Sequence, residues 1–253
     1  MTAWFRDAIA EQPPPDQAAA VAVRSRAANV LRPAGALRRL DEIAEWVAAW
    51  QRDEAPRIAR PAVLIFAADH GVADAAPVSA YPTSVTAAMM RAFRDGRSTI
   101  NVFAGLTGAE VRAVDVGVGR PTGDIRFEAA MTPQRFDEVV EQAVTAVDAL
   151  DTDLLVLGEI GIGNTTAAAA LAGSLLGDDP STWVGRGTGV DDAGWARKTA
   201  AIRDALFRSR GSAGDPLALL RVCGGADLAA MTGFCAQAAI RRTPLLLLRR
   251  TAP

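Results

Sequence analysis

The chain has 253 residues, half of them hydrophobic, enough to bury one sizeable core, since domains commonly run to about 100–200 residues. Lysine and arginine number 27 against 29 acids, a formal net charge of -2, which excludes a global basic field for nucleic acid or an anionic membrane. Two cysteines, Cys223 and Cys235, are too far apart for a CxxC pair and come with a single histidine, so neither a disulfide framework nor a structural zinc is expected; both read as core residues.

The N-terminal MTAWFRDAIAEQPPPDQ lacks the basic start and apolar run of a signal peptide, and no stretch approaches the roughly 18 apolar residues of a membrane helix. The expectation is a cytoplasmic protein. Pro13 to Pro15 close a short leader, after which Gln17 to Gln51 shows apolar residues at helical spacing in VAVRSRAANVL and LRRLDEIAEWVAAW, predicting two helices joined around RPAGA. From Pro61 the texture changes to AVLIFAAD, a continuous Val- and Ile-rich run that marks a strand covered on both faces. EVRAVDV at Glu110 and DLLVLGE at Asp153 repeat it, separated by helical text such as TSVTAAMMRAFRDG and PQRFDEVVEQAVTAVDAL. Further helices are predicted at about Asn164 to Leu176, Asp191 to Arg208 and Gly225 to Ile240, with a last strand at Pro244 to Leu248. Alternation of this length builds βαβ units, hence a three-layer α/β/α fold on a mainly parallel, Rossmann-like sheet. The helical residues 1–60 read as part of a smaller domain, and residues 61–253 as the parallel-sheet, nucleotide-binding part.

In such sheets ligands bind outside the carboxyl ends of the strands. Three segments should therefore converge: ADHGVADAAPVSAYP, DVGVGRPTGD and GEIGIGNTT. Glycines at 158, 161 and 163 let the backbone approach an anion at the N-terminal end of the next helix, with Asn164, Thr165 and Thr166 as caps or donors. A structural strand-to-helix turn explains the same spacing. The loop is neither GxGxxG nor GxxxxGK[ST], which argues against triphosphate hydrolysis and dinucleotide chemistry. Glu159 would repel a phosphate unless aimed at a ribose hydroxyl or a nitrogen heterocycle; otherwise it is a solvated charge at a strand end. GRGTG before Asp191 and Asp192 offers a second cradle, with Arg186 in the loop and Lys198 two turns into the following helix, facing either an anion or solvent. His70 follows the first strand, where a site role and a satisfied turn histidine compete. Tyr81, the only tyrosine, lies beside Ser79 in SAYP and reads as the wall of a flat ligand or as a staple on the helix that Pro82 starts.

Taken together, RPAGALRRLDEIAEWVAAWQ, FAADHGV, VSAYPTSVTAAMM, STINVFAG, VDVGV, GEIGIGNTTAAAA, VGRGTGVDDAGWARK and DPLALLRVCGG resemble the nicotinate-nucleotide:dimethylbenzimidazole phosphoribosyltransferase family, in family order over about Leu31 to Leu248. The resemblance implies transfer of phosphoribose from nicotinate mononucleotide to 5,6-dimethylbenzimidazole, giving α-ribazole 5'-phosphate and nicotinate in assembly of the cobalamin nucleotide loop. It implies a homodimer without metal or organic cofactor. By similarity, Ser79 and Tyr81 border the benzimidazole; Gly161, Ile162, Gly163, Asn164 and Thr165 hold the phosphate end; Gly187 touches the nucleotide; Glu159 and Lys198 are a site carboxylate and a site cation.

The family's proposed base is a glutamate in a GEGTGA-like stretch beyond the strand that here reads TPLLLL. This sequence continues as RRTAP, so three expectations compete: a shortened or frameshifted gene product, a divergent enzyme in which Glu159 or Asp69 takes the proton, or a nucleotide- or benzimidazole-binding protein without turnover. An exposed sheet edge, with reduced stability or reliance on a dimer partner, is expected with it.

Overall fold

The computed structural model describes residues 2–33, 35–177 and 179–247. The leader forms a helix of its own, α1 (Thr2–Ala10), followed by α2 (Gln17–Ala28) and α3 (Arg38–Gln51). Asp16 starts α2 by accepting the Ala18 and Ala19 N–H groups at 2.9 and 3.1 Å, satisfying two of the donors that every helix start leaves open. The α2–α3 pair closes on a small cluster of Ala19, Val23 and Ala48, whereas Phe5 of α1 joins the main core.

The sheet begins with β1 (Pro61–Ala68), followed by α4 (Gly71–Ala75), α5 (Ser84–Arg94), α6 (Thr99–Thr107) and β2 (Glu110–Gly117). Next come α7 (Pro133–Asp148), β3 (Leu154–Ile160), α8 (Asn164–Leu176), α9 (Pro180–Trp183), α10 (Asp192–Ser209), α11 (Pro216–Cys223), α12 (Ala226–Ile240) and β4 (Leu245–Leu247). Ser98 and Asn101 form a reciprocal capping box on α6, and Asp191 holds the Gly194 N–H of α10 at 2.7 Å. Thr132 and Asp215 cap α7 and α11, each with proline in the first turn.

All four strands are parallel, in the order β2-β1-β3-β4. β1 is buried along nearly its whole length, as its unbroken apolar run requires. Leu64, Phe66 and Ala68 face the main core, where Phe66 meets Phe234 of α12 edge-on at 5.8 Å; Val63, Ile65 and Ala67 are as deeply buried on the other face. α12 crosses β1, β2 and β3 and pairs with α7, while α5 lies against β1 and β2. The chain leaves β1 for β2 on one side and later returns to β3 on the other. That reversal makes the β1/β3 boundary the topological switch point, the place outside which open α/β sheets bind their ligands.

Leu246 and Leu247 of β4 are exposed at the sheet edge. The expectation about RRTAP and Leu248 lies outside the described residues. Cys223 is buried and Cys235 half-buried, both unpaired, and burial pushes both thiols up. No helix among the described residues is long and apolar enough to cross a membrane.

Candidate functional site

Three segments meet at the carboxyl ends of β1 and β3, and named side chains tie them together. Ile162 of the glycine loop donates its N–H to Thr86 Oγ1, a fully buried hydroxyl in α5, at 3.2 Å. Lys198 Nζ donates to Thr165 Oγ1 at 3.0 Å, joining α10 to the first turn of α8. Thr188 of GRGTG accepts the Ala80 N–H at 2.8 Å and lies 3.0 Å from Ser79 Oγ, so the SAYP loop leans on the second glycine loop. Ser79, Thr165 and Lys198 thus belong to one connected edge. DVGVGRPTGD attaches through Asp69, whose Oδ2 accepts the Gly119 N–H at 2.7 Å.

Lys198 is only 1% exposed, so its ammonium does not sit on a solvated helix face. Gly187 has φ +57°, and a Cβ there would lie 2.7 Å from Lys198 Nζ and 3.1 Å from Thr165 Oγ1. The second glycine loop therefore passes directly over the lysine–threonine contact. Arg186 donates instead to the Val190 carbonyl and to Asp192 Oδ1, at 2.9 and 2.6 Å, which uses its charge to shape the loop.

The glycine loop has a reason for its composition that spacing does not reveal. A Cβ on Gly161 would sit 2.4 Å from the Ala68 carbonyl oxygen and 3.0 Å from His70 Nε2; one on Gly163, whose φ is +97°, would sit 3.1 Å from His70 Cβ. Both glycines let the loop pack onto the buried histidine. The amide groups at the start of α8 are also occupied: Asn164 and Thr166 bond back to Gly161 and Gly163, and Thr165 N–H is held by Asn164 Oδ1 at 2.7 Å. Asn164 simultaneously donates from Nδ2 to Glu159, which is exposed at the end of β3. Asn164 Oδ1 thus takes a backbone donor that a helix start otherwise offers to an anion, and its Nδ2 ties the turn to Glu159.

His70 and Asp227 form a pair that the sequence does not signal. Nε2 of His70 donates to Asp227 Oδ2 at 3.2 Å, and the side chains are 1% and 0% exposed. Burial alone would push the imidazole down, but the Asp227 carboxylate, with charge from Glu159 and Asp69, carries it above the ordinary histidine value. Tyr81 is 57% exposed; near it a concavity of about 340 Å3 is lined by Asp74, Pro77, Ser79 and Thr83 among others. An apolar cleft of about 220 Å3 near Trp46, Trp50 and Leu245 lies at the amino end of β4 and contains none of the candidate residues. Among the described residues, no group of three or more His, Cys, Asp or Glu could hold a metal ion.

A family profile described as "Phosphoribosyltransferase" matches residues 12–247. The nicotinate-nucleotide–dimethylbenzimidazole phosphoribosyltransferase of Mycobacterium avium (strain 104) is 49% identical over 252 residues, covering 92% of this chain and 72% of the relative. Its counterpart from Mycobacterium tuberculosis (strain ATCC 25618 / H37Rv) is 48% identical over 256 residues, covering 92% and 69%. Among solved structures, CobT from Thermus thermophilus superposes with a TM-score of 0.84 at 37% identity, over 91% of this chain and 74% of that one.

Proposed function

The chain belongs to the nicotinate-nucleotide–dimethylbenzimidazole phosphoribosyltransferase family, and on that premise we propose that it transfers 5-phosphoribose from nicotinate mononucleotide to 5,6-dimethylbenzimidazole. The products are α-ribazole 5'-phosphate and nicotinate, and the reaction serves assembly of the cobalamin nucleotide loop. The observation that carries the reading onto this molecule is the connected edge of SAYP, GIGNTT and GRGTG, joined by the Ser79–Thr188 and Thr165–Lys198 contacts.

In this reading the 5'-phosphate lies against Gly161, Ile162, Gly163, Asn164 and Thr165, with Lys198 as the counter-charge and Gly187 closing over it. Ser79 and Tyr81 border the benzimidazole; the adjoining concavity of about 340 Å3 is at the small end of ligand sites, which suits a flat bicyclic base. A benzimidazole nitrogen attacks the anomeric carbon as the bond to the pyridinium nitrogen breaks, and nicotinate leaves with that electron pair. The second benzimidazole nitrogen gives its proton to a carboxylate, Glu159, oriented by Asn164. Asp69 is the weaker choice because one of its oxygens is committed to Gly119. Positioning and stabilisation of an oxocarbenium-like state supply the rest of the rate.

The same reading makes the protein a cytoplasmic homodimer, with residues 1–60 contributing to a smaller domain and the remainder carrying the nucleotide site. Incubation with both substrates and chromatography for α-ribazole 5'-phosphate tests it. Product supports the enzyme; calorimetric binding of nicotinate mononucleotide without product replaces it with a non-catalytic binder. Full turnover in Glu159→Gln would remove Glu159 as the base.

A further inference from the structure

The single histidine of the chain is packed into the wall behind the glycine loop. Three glycines from two segments close on its side chain: Cβ atoms on Gly161 and Gly225 would come within 3.0 and 2.3 Å of ring atoms, and one on Gly163 within 3.1 Å of His70 Cβ. Gly161 and Gly163 belong to the turn before α8, and Gly225 precedes α12. His70 is therefore the surface on which the loop and the start of α12 both rest.

Its charged surroundings come from several elements. Asp227 in the first turn of α12 accepts from Nε2 at 3.2 Å, Glu159 acts from the end of β3, and Asp69 acts from the neighbouring position in the chain. Lys198 of α10 lies buried beside Thr165 at the start of α8. Among the described residues, His70 Nδ1 and Asp69 Oδ1 are buried without a hydrogen-bond partner. A neutral ring can still donate from Nε2 to Asp227, but only the imidazolium gives that buried carboxylate a counter-charge, and this attraction opposes the cost of burying the ring with Nδ1 unpartnered.

We propose that His70 is a positioning residue for the nucleotide: protonated and held by Asp227, it fixes the Gly161–Thr165 turn in the shape that receives the phosphate, so proton binding and nucleotide binding favour each other. The inference rests on the reading of that turn as the nucleotide site. A phosphate dianion on the outer side of the turn favours the imidazolium on its inner side, and linkage makes the effect reciprocal.

The lone histidine makes the test direct, because its Cε1 proton gives one unambiguous NMR signal. That signal is titrated in the intact chain with and without nicotinate mononucleotide, and nucleotide affinity is measured by calorimetry between pH 7 and 9, above the phosphate's own titration near about 6. The histidine should titrate above its ordinary value of about 6.5 and move higher with nucleotide, each unit of movement appearing as a roughly tenfold loss of affinity on the alkaline side. His70→Gln keeps a hydrogen bond to Asp227 without the proton equilibrium, and its affinity should lose the slope with pH. A purely structural histidine would lower the melting temperature of that variant and leave the slope intact. If His70→Gln does not fold, the wild-type titrations decide. Nucleotide binding that leaves the histidine titration unmoved overturns this inference alone; absence of binding at every pH overturns the site assignment and the inference with it.

Discussion

Replacing Gly161 with alanine puts a methyl group 2.4 Å from the Ala68 carbonyl oxygen and 3.0 Å from His70 Nε2. Carbon–oxygen contacts settle at about 3.3–3.6 Å, so the loop or the strand end must retreat by about 1 Å. The strand cannot give, because β1 is paired on both sides along its length. The loop therefore moves, at an overpacking cost of about 1–3 kcal/mol. For a chain of this size each kcal/mol lowers the melting temperature by about 2–4 °C, so a drop of roughly 2–12 °C is expected. A displacement of about 1 Å at a substrate-positioning loop can cost about 100-fold in rate, so kcat/KM for nicotinate mononucleotide should fall by roughly 10–100-fold. The control is Gly158→Ala, whose Cβ meets Ile65 Cγ1 at 3.2 Å, a side-chain atom able to shift by a few tenths of an ångström. Thermal unfolding followed by circular dichroism and product chromatography under initial-rate conditions give both numbers. Equal melting temperatures and equal kcat/KM in the two variants would refute the claim that the loop is glycine-rich because it packs on His70 and β1.

Thr188→Val removes the hydroxyl that holds Ala80 and Ser79 while keeping its shape; KM for dimethylbenzimidazole should rise severalfold with the nucleotide KM unchanged, and no change in either would detach SAYP from the second glycine loop. Lys198→Met removes a buried ammonium and should weaken nucleotide binding by about 10–100-fold, the equivalent of a charged hydrogen bond worth about 1.5–3 kcal/mol. Unchanged calorimetric affinity in a folded Lys198→Met protein would take the lysine out of the site. The raised His70 value also sets the direction of a stability change. Below about 6.5 the ring is protonated in both folded and unfolded chains and its contribution is complete; as pH rises further, only the folded chain keeps the proton, and the contribution is lost as pH passes through the folded value. The urea midpoint should therefore decline on the alkaline side of about 6.5, and Asp227→Asn should flatten that decline; a midpoint that rises over this interval contradicts the pairing.

β1 and β3 were legible because strands covered on both faces demand apolar runs, and AVLIFAA and LLVL supply them, whereas EVRAVDV, broken by Glu110, Arg112 and Asp115, is the edge strand β2, only partly buried before Val116. Helices with strong caps, such as α7 behind Thr132 and α10 behind Asp191, were legible for the same local reason. α6 and α11 carry weaker local signals. α6 is held by Ser98 with asparagine in place of the usual glutamate, and α11 is a short helix behind Asp215. The contacts that assemble the candidate site lie beyond local reading altogether. Ser79 and Thr188 are 109 positions apart, and His70 and Asp227 are 157 apart, so no spacing pattern connects them. Thr86, Thr188 and Asp227 were missed on that account. Lys198 shows the converse: sequence allowed either a site cation or a solvated lysine, and only burial separates the two.

The central place of β1 has a consequence for how the chain is made. It emerges first among the strands, yet its β3 neighbour, which contributes Gly158 opposite Ile65, is encoded about ninety residues later. At synthesis rates of about 5–20 residues per second, the most apolar segment of the protein waits roughly 5–20 s with one flank unpaired. During that interval the nascent strand is the molecule's point of greatest exposure to misassociation, and chaperone demand should be set by the delay before residue 160 clears the ribosome rather than by the stability of the finished sheet.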